Sequence, residues 1–294
     1  MKLLKEDTVQ FFELFHSLLV YVNDKYELVG RMKGPDEVFN LPMKKLADLR
    51  KKLYDNPEII DRFLSENPFE YGSEEKEIVG DFRNFVKGRF ILIKYHKDYA
   101  VLISQDDPVK AFGVKGLFSS LEDLVGPRLP KAIETTLLPF KGQIVYDGLI
   151  FPYNVTFGNN FAKSFNSEYQ KAKARYGIIT SIPFDEKEIE IDDLEMLKVY
   201  MKNKYNRDVY WEEIEKLKNK NRELLIYYHQ KMGKIHSRGI RKDLREIGIR
   251  KGWFGILEGT IIGSGPSKKE LIQNVEQIVP EDKRDLIFTF EMRN

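Results

Sequence analysis

Twelve lysines and arginines fall between residues 216 and 251 against three acids, a local net charge of +9 in a chain whose formal total is +2. Lysine and arginine are the side chains that neutralise nucleic-acid phosphates, and aromatic rings offer faces on which bases stack. Tyr227, Tyr228, His229 and the nearby Trp253 supply such rings. The combination points to a polyanion-binding surface, with Arg238, Arg241, Lys242, Arg245, Arg250 and Lys251 as its candidate contacts. Recognition would be mostly electrostatic, because neither an RNA-binding sheet signature nor a helix-turn-helix pattern is evident. The same charges also fit a solvated helix face paired with the acidic run at residues 185–195, which holds seven acids and one lysine.

Four other groups of residues could do chemistry, and each has a plainer explanation. Asp147, between Tyr146 and Gly148, is the best single carboxylate for acid–base work, but such work needs a second positioned group. Aspartate before glycine also closes strands, which predicts a buried Tyr146 ring and a local backbone partner for Asp147. Gly263-Ser264-Gly265 ahead of a helix suggests an anion-binding turn, yet the Walker and dinucleotide patterns are absent and Ser267-Lys268-Lys269-Glu270 reads as a capping box. His229 and His236 could be metal ligands on one helix face, but Gly233 between them reads as a helix stop and no carboxylate pair completes a set. The acidic run lacks calcium-loop spacing, and its Asp192-Asp193 reads as a helix cap and first turn. No catalytic residue, metal site or cofactor is implied.

These residues need elements to hold them. Val9, Phe12, Phe15, Leu18, Leu19 and Val22 recur at helical spacing, and helical signals continue, predicting a helical bundle over residues 1–87. The texture changes at Gly88, where β-rich runs flank His96-Lys97-Asp98 and then Lys141-Gly142. They predict an antiparallel β-rich domain of four or five strands over residues 88–160. A helical connector carrying the basic segment follows over residues 161–251, with one helix ending at Gly233 and a short basic helix after it. Residues 252–294 read as strand, turn at Glu258-Gly259, strand, helix, strand. A ββαβ unit of that size holds too small a core to stand alone, so it should pack on the rest of the chain or on another copy. The fold class is α+β.

Composition narrows the setting. The chain has no cysteine, which excludes disulfide scaffolds, thiolate metal sites and a cysteine nucleophile. The first residues turn acidic before any signal-like apolar run develops, and no stretch approaches the ~18 uncharged apolar residues of a membrane span. A cytoplasmic location with no membrane partner is expected.

Leu137-Leu138-Pro139-Phe140-Lys141-Gly142-Gln143-Ile144-Val145-Tyr146-Asp147-Gly148 resembles a segment, LLPFKGxIxYDG, of uncharacterised prokaryotic proteins, several from methanogens. Residues 252–291 resemble a small ββαβ domain of unknown function. The resemblance implies a prokaryotic cytosolic origin and carries no site residue onto this chain. The leading expectation is therefore a non-catalytic cytosolic protein that engages RNA or a ribonucleoprotein through its basic segment. A protein-interaction or assembly factor, or a homo-oligomer using the C-terminal sheet, is the alternative, and a hydrolase centred on Asp147 comes third.

Overall fold

Apolar residues three and four apart bury one stripe of helix α1 (Lys5–Tyr26) in the computed structural model, which describes residues 1–185 and 192–293. The stripe runs through Phe11, Leu14, Phe15, Leu18 and Val22, and Val9, predicted to share it, lies on the opposite side and is exposed. Helices α2 (Met43–Asp55), α3 (Ile59–Glu66) and α4 (Ser73–Asp81) follow, and their apolar faces close a bundle around α1. Contacts divide the chain into two units, Met1–Ile189 and Glu190–Asn294. The α+β class holds: helices come first, then a central sheet, then a C-terminal strand-helix-strand unit. No helix among the described residues is long and apolar enough to cross a membrane.

In the first unit the bundle leads into β1 (Val86–Tyr95), β2 (Ala100–Ser104), β3 (Ala111–Lys115), helix α5 (Leu121–Val125), β4 (Lys131–Phe140), β5 (Gln143–Tyr146) and the short β6 (Phe151–Pro152). Every strand pair is antiparallel except β3–β5, which is parallel. The order β1-β2-β3-β5-β4 closes on itself through a β1–β4 ladder running from Val86↔Leu137 to Leu92↔Lys131, so the expected sheet is a barrel. Two-residue alternation then sorts the side chains. Phe90, Leu92, Ala100, Leu102, Phe112 and Val114 join the main core, whereas Ile91, Val101, Ile103 and Ala111 point outward. The outward set is covered by Tyr169 and Ala172 of helix α6 (Asn159–Tyr176).

The second unit holds α7 (Asp193–Tyr200), α8 (Lys204–Val209), α9 (Trp211–Lys218), α10 (Arg222–Glu246), β7 (Gly252–Leu257), β8 (Thr260–Gly265), α11 (Lys268–Ile278) and β9 (Phe288–Met292). Its antiparallel sheet, ordered β8-β7-β9, is covered on both sides. Phe254, Ile256, Phe290 and Met292 meet Leu244 of α10, and Trp253, Leu257 and Ile287 meet Leu271 and Val275 of α11. The ββαβ segment thus shares its core with α10.

Gly233 does not end a helix. It lies within the continuous 25-residue α10, and the short basic helix expected after it is that helix's second half. A Cβ at this position would stand 2.2 Å from the Cβ of Phe288, so the glycine lets β9 press directly against the helix. On a free helix surface alanine would stabilise by about 1 kcal/mol relative to glycine. Here Gly233→Ala is expected to reverse that sign and destabilise by about 1–3 kcal/mol, because strand and helix must separate to admit the methyl group. Urea denaturation of the whole chain checks this, and a net gain would show that the contact yields freely.

Candidate nucleic-acid interface

The continuity of α10 arranges its cations. Lys231, Lys234, Arg238, Arg241 and Arg245 follow one another at alternating three- and four-residue steps, which keeps all five within about a third of the helix circumference. Lys242 lies beside them. The opposite side, through His229, Gly233 and Leu244, is the buried one. Among the described residues none of the five stripe cations pairs with a carboxylate, and Lys242 makes only an exposed contact of 3.7 Å with Glu246. Arg241 is half-buried, its guanidinium lying 4.6 Å from the centre of the Phe290 ring.

Where the structure places each candidate is therefore mixed. Arg238, Arg241, Lys242 and Arg245 share one face, while Arg250 and Lys251 lie off it, exposed in the loop between α10 and β7. Of the acidic run, residues 186–191 lie outside the described residues. Asp192 caps α7 by accepting from the amides of Leu194 (2.9 Å) and Glu195 (3.1 Å). Asp193 pairs with Lys220 and Glu195 with Lys198. Asp193 and Glu195 thus engage Lys220 and Lys198 rather than any of the six candidate cations.

Sequence reasoning missed half of the neighbourhood. A cleft of about 390 Å³ opens beside the first part of the stripe, lined by Lys202, Asn203, Lys204, Arg207, Lys231, Lys234, Ile235 and Arg238. Six of these are cations and none is an acid. The segment between α7 and α8 is held in place by Asn206, whose amide group donates to the Val199 carbonyl (2.8 Å), and by the Asn203 side chain, which accepts from the Asn206 backbone amide (2.9 Å). Arg207 also donates to the Met201 carbonyl at 3.4 Å. The three-four spacing of the stripe was visible in the sequence; its continuity was hidden by the glycine.

Asp147 has a different role. It is 3% exposed at the end of β5, with Tyr146 buried beside it. Its Oδ1 accepts from Arg50 Nη1 (3.2 Å) and from the Leu149 amide (3.2 Å), and its Oδ2 accepts from the Tyr54 hydroxyl (2.9 Å). Burial pushes the carboxyl up from the usual carboxylate range against the pull of Arg50, Tyr54 and Leu149. Burial likewise raises the Tyr54 phenol, and the Asp147 charge adds to that rise. A cleft of about 200 Å³ borders this group and includes Glu134, but Glu134 is itself engaged by the Tyr153 hydroxyl (2.5 Å). Both Asp147 oxygens are committed to tying α2 to the barrel, which is a structural use of the carboxylate.

The remaining motifs resolve into packing. Gly263 and Gly265 lie inside β8, where a Cβ would come within 2.8 Å of the Val275 side chain and 2.7 Å of the Leu271 amide nitrogen. They let α11 approach the strand, and Ser267 with Glu270 forms the capping box that starts that helix. His229 and His236 share continuous α10, but no cluster of three or more histidines and acids among the described residues could hold a metal.

The barrel offers less than its topology suggests. A closed barrel can present the outer face of its strands, here those of β2 and β3, to a ligand. In this chain the outer residues of those strands lie under α6. Connectivity alone carries no function. Comparison with protein-family models, curated proteins and solved structures finds no match to this chain.

Proposed function

We propose that this protein binds RNA, without catalysing a reaction on it, through the basic face of α10. The observation that supports the reading is the stripe itself: Lys231, Lys234, Arg238, Arg241 and Arg245 on one side of a continuous helix, with no described carboxylate neutralising any of them. Each uncompensated cation can release a counterion from a phosphate on binding, which is the main source of affinity for an electrostatic nucleic-acid surface. Tyr227, partly exposed near the start of α10, supplies a ring on the same helix, while the Tyr228 ring is taken up by Lys218, whose Nζ lies 4.6 Å from its centre.

Fluorescence anisotropy with a labelled single-stranded RNA tests this. The wild type is expected to bind at low salt and to weaken steeply as salt rises. The triple variant Arg241→Glu, Lys242→Glu, Arg245→Glu should bind at least tenfold more weakly, with a log–log salt slope shallower by about 2, since each lost phosphate contact removes about 0.7 on single strands. Its circular dichroism should be unchanged, because these positions are exposed or half-buried. No binding by the wild type at low salt, or equal binding by the variant, would overturn the reading in favour of a protein-interaction role.

A further inference from the structure

We infer that the cleft between α10 and the α7–α8 segment receives the terminal phosphate of the bound strand, an inference that rests on the RNA-binding reading and adds a specificity to it. The cleft's six cations come from two separate stretches of chain, Lys202, Lys204 and Arg207 on one wall and Lys231, Lys234 and Arg238 on the other. Among the described residues none of the six is paired with a carboxylate. Other cations of this unit are matched, among them Lys198 with Glu195, Lys218 with Glu215, Lys220 with Asp193 and Arg222 with Asp285, whereas among the described residues Arg241 and Arg245 farther along the stripe are not. Like charges gathered in one cleft repel and weaken the ligand-free fold, so an unmatched set of six is suited to a concentrated anion.

Charge and position select the kind of anion. An internal phosphodiester carries a single negative charge, whereas a terminal phosphate monoester carries about −1.5 to −2 at neutral pH and presents three acceptor oxygens. A cleft of about 390 Å³ lies in the range of small-ligand sites and has room for a nucleotide end. It also stands at one end of the stripe, which runs on from Arg238 to Arg241 and Arg245. The wall formed by Lys202, Lys204 and Arg207 faces the first three stripe cations, Lys231, Lys234 and Arg238, across the cleft. A strand laid along α10 that ends in the cleft presents its last phosphate to cations from both sides.

The test uses the full chain and one RNA sequence in three forms: hydroxyl at both ends, 5′-monophosphate, and 3′-monophosphate. Binding to one of the two phosphorylated forms is expected to be at least fivefold tighter than to the hydroxyl form, and the form preferred sets the strand's direction. In Lys202→Gln/Lys204→Gln the preference should fall to within twofold, while the hydroxyl form loses much less. The apparent Tm of that ligand-free variant is expected to equal or exceed the wild type, because two repelling charges are gone. Equal binding of all three forms by the wild type overturns the terminal-phosphate inference and leaves the RNA reading standing. A lower Tm for the variant would assign these lysines to the fold and also overturn it. No binding of any form overturns both.

Discussion

Removing either Arg50 or Asp147 alone is expected to destabilise the protein by about 3–5 kcal/mol, the range for stranding one member of a buried ion pair. Both side chains are nearly sealed from solvent, at 5% and 4% exposure, and the pair spans helix α2 and the end of β5. Arg50→Met would leave the Asp147 carboxylate with only the Tyr54 hydroxyl and the Leu149 amide. Asp147→Leu would leave a buried guanidinium with the Phe15 ring 5.5 Å away and no anion. The double variant Arg50→Met/Asp147→Leu removes both charges together, and its loss should be far smaller than the sum of the singles. A double-mutant cycle read by urea unfolding checks this. Additive losses, or single losses below about 1 kcal/mol, would show that the pair is held more loosely and solvated more than its geometry indicates.

A second large effect is expected from His16. This residue is 2% exposed in α1, its ring packed 4.4 Å from Phe39 and 5.1 Å from Phe12, and its Nδ1 has no hydrogen-bond partner. Burial lowers its pKa to about 4, Arg50 adds to the lowering, and a bond to the Pro35 backbone works the other way. The unfolded chain holds a histidine near 6.5, so between pH 6.5 and 4 the unfolded state binds a proton that the folded state refuses. Stability from this group is therefore complete above pH 6.5 and lost as pH falls towards 4. The loss amounts to about 2 kcal/mol at pH 5, at 1.36 kcal/mol per pH unit. His16→Phe keeps the ring and removes the proton site. Unfolding free energies of wild type and variant at pH 7.5 and pH 5 should differ in their pH drop by about that amount. Identical drops would mean that His16 protonates in place.

The elements that could be seen in the sequence are those whose signals are local. The hairpins around His96-Lys97-Asp98 and Lys141-Gly142 form where alternating apolar runs flank turn residues, as β1–β2 and β4–β5. The closure of the barrel was not legible, because the parallel β3–β5 pair joins strands separated by a helix and a third strand. Gly233 shows a second limit: a glycine that ends a helix and a glycine that admits a neighbouring strand are the same letter, and only Phe288, 55 positions on, tells them apart. The site suffered from both limits. Arg238, Arg241, Lys242 and Arg245 stood out by charge density alone. Lys202, Lys204 and Arg207 did not, since they lie outside the dense run and join it only when α7 and α8 fold against α10. The tie between Arg50 and Asp147 crosses 97 positions and leaves no local trace.

The unbroken course of α10 also fixes a length. From Lys231 to Arg245 the stripe extends about 21 Å at the 1.5 Å rise of an α-helix. A nucleic-acid strand laid along it meets these five cations only over that span. The helix is in that respect a ruler: an oligomer shorter than its span leaves cations unmatched, and a longer one overhangs without gaining contacts from it.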